Sequence, residues 1–146
     1  KDGLMTLEND LIDSRVNGYH LGIKLVRGAY LHTEKNQGHL FTKKKLTDDS
    51  YNKGILTIGV SKYNPYTLLA THNKDSVRLG YMYNRHAGRD VFEFAHLMGM
   101  QEENYQELVE RGEKVNVYIP YGPYNKMIPY LTRRMYENMN MLKYMK

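Results

Sequence analysis

Leu21-Gly22-Ile23-Lys24-Leu25-Val26-Arg27-Gly28 is a compact apolar run carrying two basic residues and bracketed by glycines, and its length and punctuation read as a short strand. On its N-terminal side, Leu4, Leu7, Leu11 and Ile12 recur at helical spacing within residues 4–20, so a helix precedes it. On the other side a polar segment with Gly38 leads to Thr47-Asp48-Asp49-Ser50, side chains suited to capping a helix expected from Tyr51 to Lys62 and stopped by Asn64-Pro65. The alternation then repeats. Leu68-Leu69-Ala70-Thr71 reads as a strand, Asp75 to Arg85 as a helix, and Val91 to Leu97 as a strand. Glu103 to Arg111 is expected to be a helix closed by Gly112, Val115 to Ile119 a strand ended by Pro120, and Asn125 onward a helix with Pro129 in its first turns.

Four strands each followed by a helix predict an α/β fold of parallel βα units with right-handed crossovers. Two architectures satisfy that pattern, a doubly wound sheet and part of an eight-stranded barrel. Both place ligands beyond the carboxyl ends of the strands. The segments to inspect are therefore Arg27-Gly28-Ala29-Tyr30, His72-Asn73, Met98-Gly99-Met100 and Pro120-Tyr121-Gly122-Pro123.

The composition removes several classes of function. With 21 Lys+Arg against 16 Asp+Glu, the 146-residue chain carries a formal charge of +5, spread over several elements, and this does not point to nucleic acid as a partner. It has no Cys, which excludes disulfide scaffolds, thiolate metal sites and cysteine nucleophiles. No HExxH pair, GxSxG elbow, Walker loop or GxGxxG loop occurs, so metalloprotease, serine-hydrolase and dinucleotide-fold readings lose their usual support. No apolar run approaches the roughly 20 residues that cross a bilayer. The start at Lys1, without an initiator Met or a signal region, reads as a cut within a longer chain, and 1–146 is expected to be part of one domain.

Chemistry concentrates in the last expected helix. Tyr130, Arg133, Arg134 and Glu137 stand at i, i+3, i+4 and i+7, which gathers them on one face. Two arginines beside a tyrosine can hold a small carboxylate through charge-assisted, forked hydrogen bonds. On spacing alone, a solvated face with an Arg133–Glu137 pair is the more ordinary reading. His72-Asn73 puts a polar pair at the rim, where a lone histidine is more often a structural hydrogen-bonder than a catalyst. The 14 Tyr and 9 Met read as core and gap filling before base stacking.

Taken in order, Leu21 to Leu31, Ala70-Thr71-His72-Asn73, Leu97-Met98-Gly99-Met100, Tyr118 to Pro123 and Pro129 to Asn138 resemble proline dehydrogenase across nearly the whole chain. The KLVRGAYL and PYLxRRxxEN forms are similar to those of its eukaryotic, especially fungal, branch. The resemblance implies a (βα)8 barrel that binds FAD, oxidises L-proline to Δ1-pyrroline-5-carboxylate and passes electrons to a membrane quinone, with mitochondrial location and peripheral membrane association. It also implies that this chain holds strands five to eight and the final helix, the C-terminal half of the barrel. Residues 1–146 would then be the C-terminal part of a single barrel domain.

Carried over position by position, the resemblance gives Arg133 and Arg134 the proline carboxylate, and gives Tyr30, Leu97, Tyr118 and Tyr130 the enclosure of the proline ring. Lys24, Val26, Arg27, Gly28, Ala29, Thr71, His72, Asn73 and Glu137 fall on FAD-contacting positions, with Thr42 and Lys44 beside them across a loop of differing length. Lys24 stands where bacterial relatives have arginine near the flavin, and keeps the positive charge. Tyr118 implies proline over hydroxyproline, whose oxidising relatives carry a smaller polar residue there. His96 departs from the glutamine or cysteine of relatives. No acid–base residue and no metal site is implied. Three rival expectations stand beside this one: a barrel fragment without turnover, a hydroxyproline-oxidising relative and a basic nucleic-acid binder.

Overall fold

The computed structural model describes residues 2–27, 40–41 and 43–143, with the side chains of residues 134 and 137–143 outside that description. Helix α1 (Gly3–Asn17) precedes strand β1 (Gly22–Val26). Helix α2 (Lys44–Val60), β2 (Tyr66–Ala70), α3 (Lys74–Ala87), β3 (Glu93–Leu97), α4 (Glu102–Glu110), β4 (Val115–Tyr118) and α5 (Tyr124–Lys143) follow. All strand pairs are parallel and the order is β1-β2-β3-β4. A doubly wound sheet reverses its strand order at a switch point. Here each right-handed crossover steps the same way, so the helices gather on one face, as in a barrel wall.

Burial follows from that arrangement. Ile23, Leu25, Leu69 and Phe94 project from the sheet into one core with Leu7, Leu11, Tyr51, Ile55, Ile58 and Val77 of the helices. Strand residues of the opposite parity face the other way, and among them Lys24, Val26, Tyr66 and Tyr118 are exposed. This bare surface is the inner, concave side of a barrel wall.

Helix α2 starts earlier than the capping pattern predicts. Lys43 is its N-cap and has no side-chain cap bond. Thr47-Asp48-Asp49-Ser50 lies inside the helix, because Asp48 and Asp49 pair one turn back with Lys44 and Lys45 at 2.8 and 3.0 Å, and i,i+4 pairs favour the helical state over a cap. Strand β3 begins at Glu93, two residues after the expected Val91, because Asn84 takes up the backbone groups just before it. Its Oδ1 accepts from the N–H groups of Val91 and Phe92 at 3.0 and 2.9 Å. Pro129 stands at the sixth position of α5, beyond the first turn where proline costs least, and it removes one intrahelical bond.

Helix α3 meets the sheet along a stripe of small and polar residues: Ser76, Gly80 and Asn84, all buried. A Cβ on Gly80 would lie 2.4 Å from Leu69 Cδ1 and 3.2 Å from Phe94 Cε1. Both neighbours are fully buried and have no free space to swing into. Gly80→Ala in the intact protein is therefore expected to cost about 1–3 kcal/mol through overpacking, read as a lower thermal midpoint. An unchanged midpoint would show that the helix slides outward without penalty.

Candidate active site at the carboxyl ends of the strands

The strands end at Val26, Ala70, Leu97 and Tyr118, and the expected site residues cluster at those ends, where parallel barrels place ligands. The register sets Leu97 beside Tyr118 on neighbouring strands. Tyr118 meets Tyr130 of α5 edge-to-face, with ring centroids 6.5 Å apart. Lys24 reaches across the concave face, over the two intervening strands, to put Nζ 5.7 Å from the Tyr118 ring centroid, within range of a cation–π attraction. Residues drawn from β1, β3, β4 and α5 thus converge on one side of the sheet. Val26 lies on the same face as Lys24 and is half exposed. Arg133 is exposed on α5, and the helix runs unbroken through residues 133 and 134.

Gly28, Ala29, Tyr30 and Thr42 lie outside the described residues, as do the side chains of Arg134 and Glu137.

A second cluster forms at the ends of β1 and β2. The Arg27 guanidinium pairs with Asp48 and donates through Nη2 to Ser76 Oγ, and its carbon lies 4.5 Å from the Tyr51 ring centroid. Thr71 is buried; its carbonyl accepts from the Tyr105 hydroxyl, and its Oγ1 accepts from the Asn73 N–H at 3.2 Å. Asn73 is the N-cap of α3, its Oδ1 accepting from Ser76 N at 3.0 Å. That capping bond turns the chain at the rim and fixes His72. Burial, reinforced by the nearby His96, holds the His72 imidazole below its ordinary pKa, which favours the neutral ring.

Arg27 Nε and His72 Nδ1 are buried without a hydrogen-bond partner among the described residues. Orphaned buried polar groups are rare and call for an explanation. Two of them at adjoining strand ends, beside a cationic cluster, fit an acceptor-rich, anionic group such as FAD. Of the residues expected at the cofactor, Lys24, Arg27, Thr71, His72 and Asn73 are described and lie at or next to these strand ends.

His96 takes a different role from its sequence position. It points to the helical side, where it stacks on Tyr105 with ring centroids 4.2 Å apart and 10° between planes, and its Nδ1 lies 3.2 Å from the Met100 carbonyl oxygen. Asp48, Asn52, Ser76 and Tyr105 were not legible as site residues. The sole available signal was that Asp48 and Asn52 stand four apart, hence on one helix face. A cleft of about 520 Å³ opens at the other end of the strands, lined by His20, Tyr66, Glu93 and Lys114 among others, and that end of a barrel serves stability. Among the described residues no group of His, Asp or Glu is placed to hold a metal ion, and no helix is long and apolar enough to cross a membrane.

A family profile described as Proline dehydrogenase matches residues 1–146. Proline dehydrogenase 1, mitochondrial, of Caenorhabditis elegans is 31% identical over 98% of this chain and 26% of its own length. Hydroxyproline dehydrogenase of Rattus norvegicus is also 31% identical, over 98% of this chain and 34% of its own. Among solved structures, proline utilization A from Bdellovibrio bacteriovorus superposes with a TM-score of 0.85 at 23% identity, covering 94% of this chain and 15% of that one. The chain thus spans about a quarter to a third of the length of these curated relatives.

Proposed function

Because the chain belongs to the proline dehydrogenase family, we propose that the protein it comes from oxidises L-proline to Δ1-pyrroline-5-carboxylate with FAD, in proline catabolism. The observation that carries this reading is the convergence of Lys24, Tyr118 and Tyr130 across the concave face, next to Leu97. Residues 1–146 would form the C-terminal half of one (βα)8 barrel domain, strands five to eight and the final helix. The bare inner face and the stepwise strand order support that placement. The name of the Caenorhabditis elegans relative supports a mitochondrial location, and the matrix side of the inner membrane is the finer placement this reading adds from the family resemblance.

In this reading Arg133 and Arg134 grip the substrate carboxylate, and Tyr30, Leu97, Tyr118 and Tyr130 wall the pyrrolidine ring and exclude water. Lys24, Val26, Arg27, Gly28, Ala29, Thr71, His72, Asn73 and Glu137 hold the cofactor side, with Thr42 and Lys44 at its margin. FAD held by these residues would supply the redox chemistry, with its N5 as hydride acceptor and a membrane quinone as the final electron acceptor. The chain's own contribution is positioning: a carboxylate fixed at one end and a ring packed against tyrosines leave the substrate few orientations, and such restriction is worth several kcal/mol of barrier. No acid–base residue is assigned in this chain, and in this reading proline binds as the neutral amine.

The test is anaerobic, on the full-length protein carrying FAD. L-proline is expected to bleach the flavin's visible absorption, and hydroxyproline to do so far less, because Tyr118 fills the space its hydroxyl needs. Preferential bleaching by hydroxyproline would move the protein to the activity named for the rat relative. Bound flavin that neither substrate reduces would overturn the oxidase reading and leave a barrel without turnover.

A further inference from the structure

We propose that Asp48 is a positioning residue for the cofactor, acting through Arg27; the inference rests on the flavin-binding reading above. The Arg27 guanidinium is fenced on three sides. Asp48 pairs with Nη1, Ser76 Oγ accepts from Nη2, and the Tyr51 ring lies under its face at 4.5 Å. Ser76 is fully buried, with its Oγ 2.6 Å from Asn52 Oδ1 and 3.2 Å from Asn73 Oδ1. A hydroxyl has one hydrogen. Donating it to either amide oxygen turns the lone pairs of Ser76 toward Arg27, so Ser76 is oriented as an acceptor for the guanidinium. Tyr51 is held in turn by its hydroxyl, which donates to the Leu25 carbonyl at 3.2 Å.

Asp48 completes the fence from α2, with its second oxygen taking Lys44 Nζ at 2.8 Å. Burial pushes the Asp48 carboxyl up, but Lys44 and Arg27 outweigh it and leave its pKa below the usual value, so the carboxylate stays charged. Nη1 and Nη2 of Arg27 each have a partner, whereas Nε is buried and unpaired among the described residues. A purely structural arginine would gain by pairing that group, since an orphaned buried donor is destabilising. A guanidinium held at both Nη groups while its Nε–H has no partner is instead arranged to give that N–H to an acceptor, with its rotamer entropy already spent in folding. Arg27 is the cofactor contact, and Asp48 keeps it in place without touching the cofactor.

The test uses the full-length protein stripped of flavin and titrated with FAD, following quenching of flavin fluorescence. Asp48→Asn, which keeps the shape and loses the charge, and Asp48→Ala are each expected to weaken FAD binding about tenfold or more, the scale of one charge-assisted hydrogen bond. Asp48→Glu is expected to restore part of the loss. The deciding variant is the double one: if Asp48 acts through Arg27, Arg27→Met with Asp48→Asn binds FAD no worse than Arg27→Met alone. A merely structural role predicts independent, multiplying losses, and that result would overturn the inference. So would FAD affinity in Asp48→Asn equal to that of the parent. Should the parent itself take up no FAD, the flavin-binding reading fails first and carries this one with it.

Discussion

Arg133→Met, or Arg134→Met, in the full-length enzyme is expected to raise the KM for L-proline about 100-fold or more, while FAD stays bound and the thermal midpoint changes little. The substrate is small: an amine, a ring and a carboxylate. Its ring offers few apolar contacts, so the carboxylate dominates recognition, and hydrogen bonds from arginine to carboxylate are the strong, forked kind. Losing one partner of a desolvated charge pair costs about 2–5 kcal/mol, and each 1.4 kcal/mol is tenfold in affinity. Arg133 is exposed on α5 and packs into no core, so methionine should leave the fold intact. Substituting lysine should recover little, because it keeps the charge and loses the fork. The check is steady-state kinetics with proline varied, alongside the flavin-to-protein absorbance ratio. An unchanged proline KM in both single variants would remove the carboxylate clamp from the site.

The part of this molecule legible in the sequence is the part written in apolar periodicity. Ile23, Leu25, Leu69 and Phe94 stand in runs that any strand template finds, and the helix before them follows from Leu4, Leu7 and Leu11 at helical spacing. The choice between barrel and doubly wound sheet was not legible, because both share that alternation. Strand order decides it, and order depends on which way each crossover turns, a property no residue records by itself. The resemblance gave Lys24, Tyr118 and Tyr130 as site residues, and the fold brings these three together. His96 shows the limit of a positional analogy: it stands where relatives carry glutamine or cysteine, and its ring packs on Tyr105 behind the sheet. What stayed hidden is the buried polar stripe of α3. Ser76, Gly80 and Asn84 lie on one face by spacing, but none is apolar, so hydrophobic patterning assigns that face to solvent. The structure packs it against β2 and β3 because each residue has a specific task there: Ser76 aims at Arg27, Gly80 admits Leu69 and Phe94, and Asn84 closes the loop below.

Asn84 carries the largest expected stability effect for that reason. The chain leaves α3 through Gly88 in the left-handed region, and must then enter β3 with Phe92 sealed in the core at 1% exposure. Phe92 precedes the strand, so no ladder bond serves its backbone, and burial would leave both its polar groups unpaired. One side chain serves them both: Asn84 Oδ1 accepts from Phe92 N at 2.9 Å, and Nδ2 donates to Phe92 O at 2.8 Å and to Glu113 at 2.6 Å. In Asn84→Ala the Val91 N–H retains a turn bond to Arg89 O at 3.0 Å, but Phe92 loses both partners. Two orphaned buried backbone groups, at about 1–3 kcal/mol each, predict a loss of roughly 3 kcal/mol or more, exceeding that of Gly80→Ala. The amide of Phe92 should lose its protection from hydrogen exchange before the strands do, which separates this mechanism from general loosening. If Phe92 exchanges at its parent rate and the thermal midpoint holds, the loop is fixed by the Phe92 ring alone and Asn84 is dispensable. The expected outcome couples scaffold to site, since the same helix that Asn84 anchors at its end presents Ser76 to Arg27 at its start.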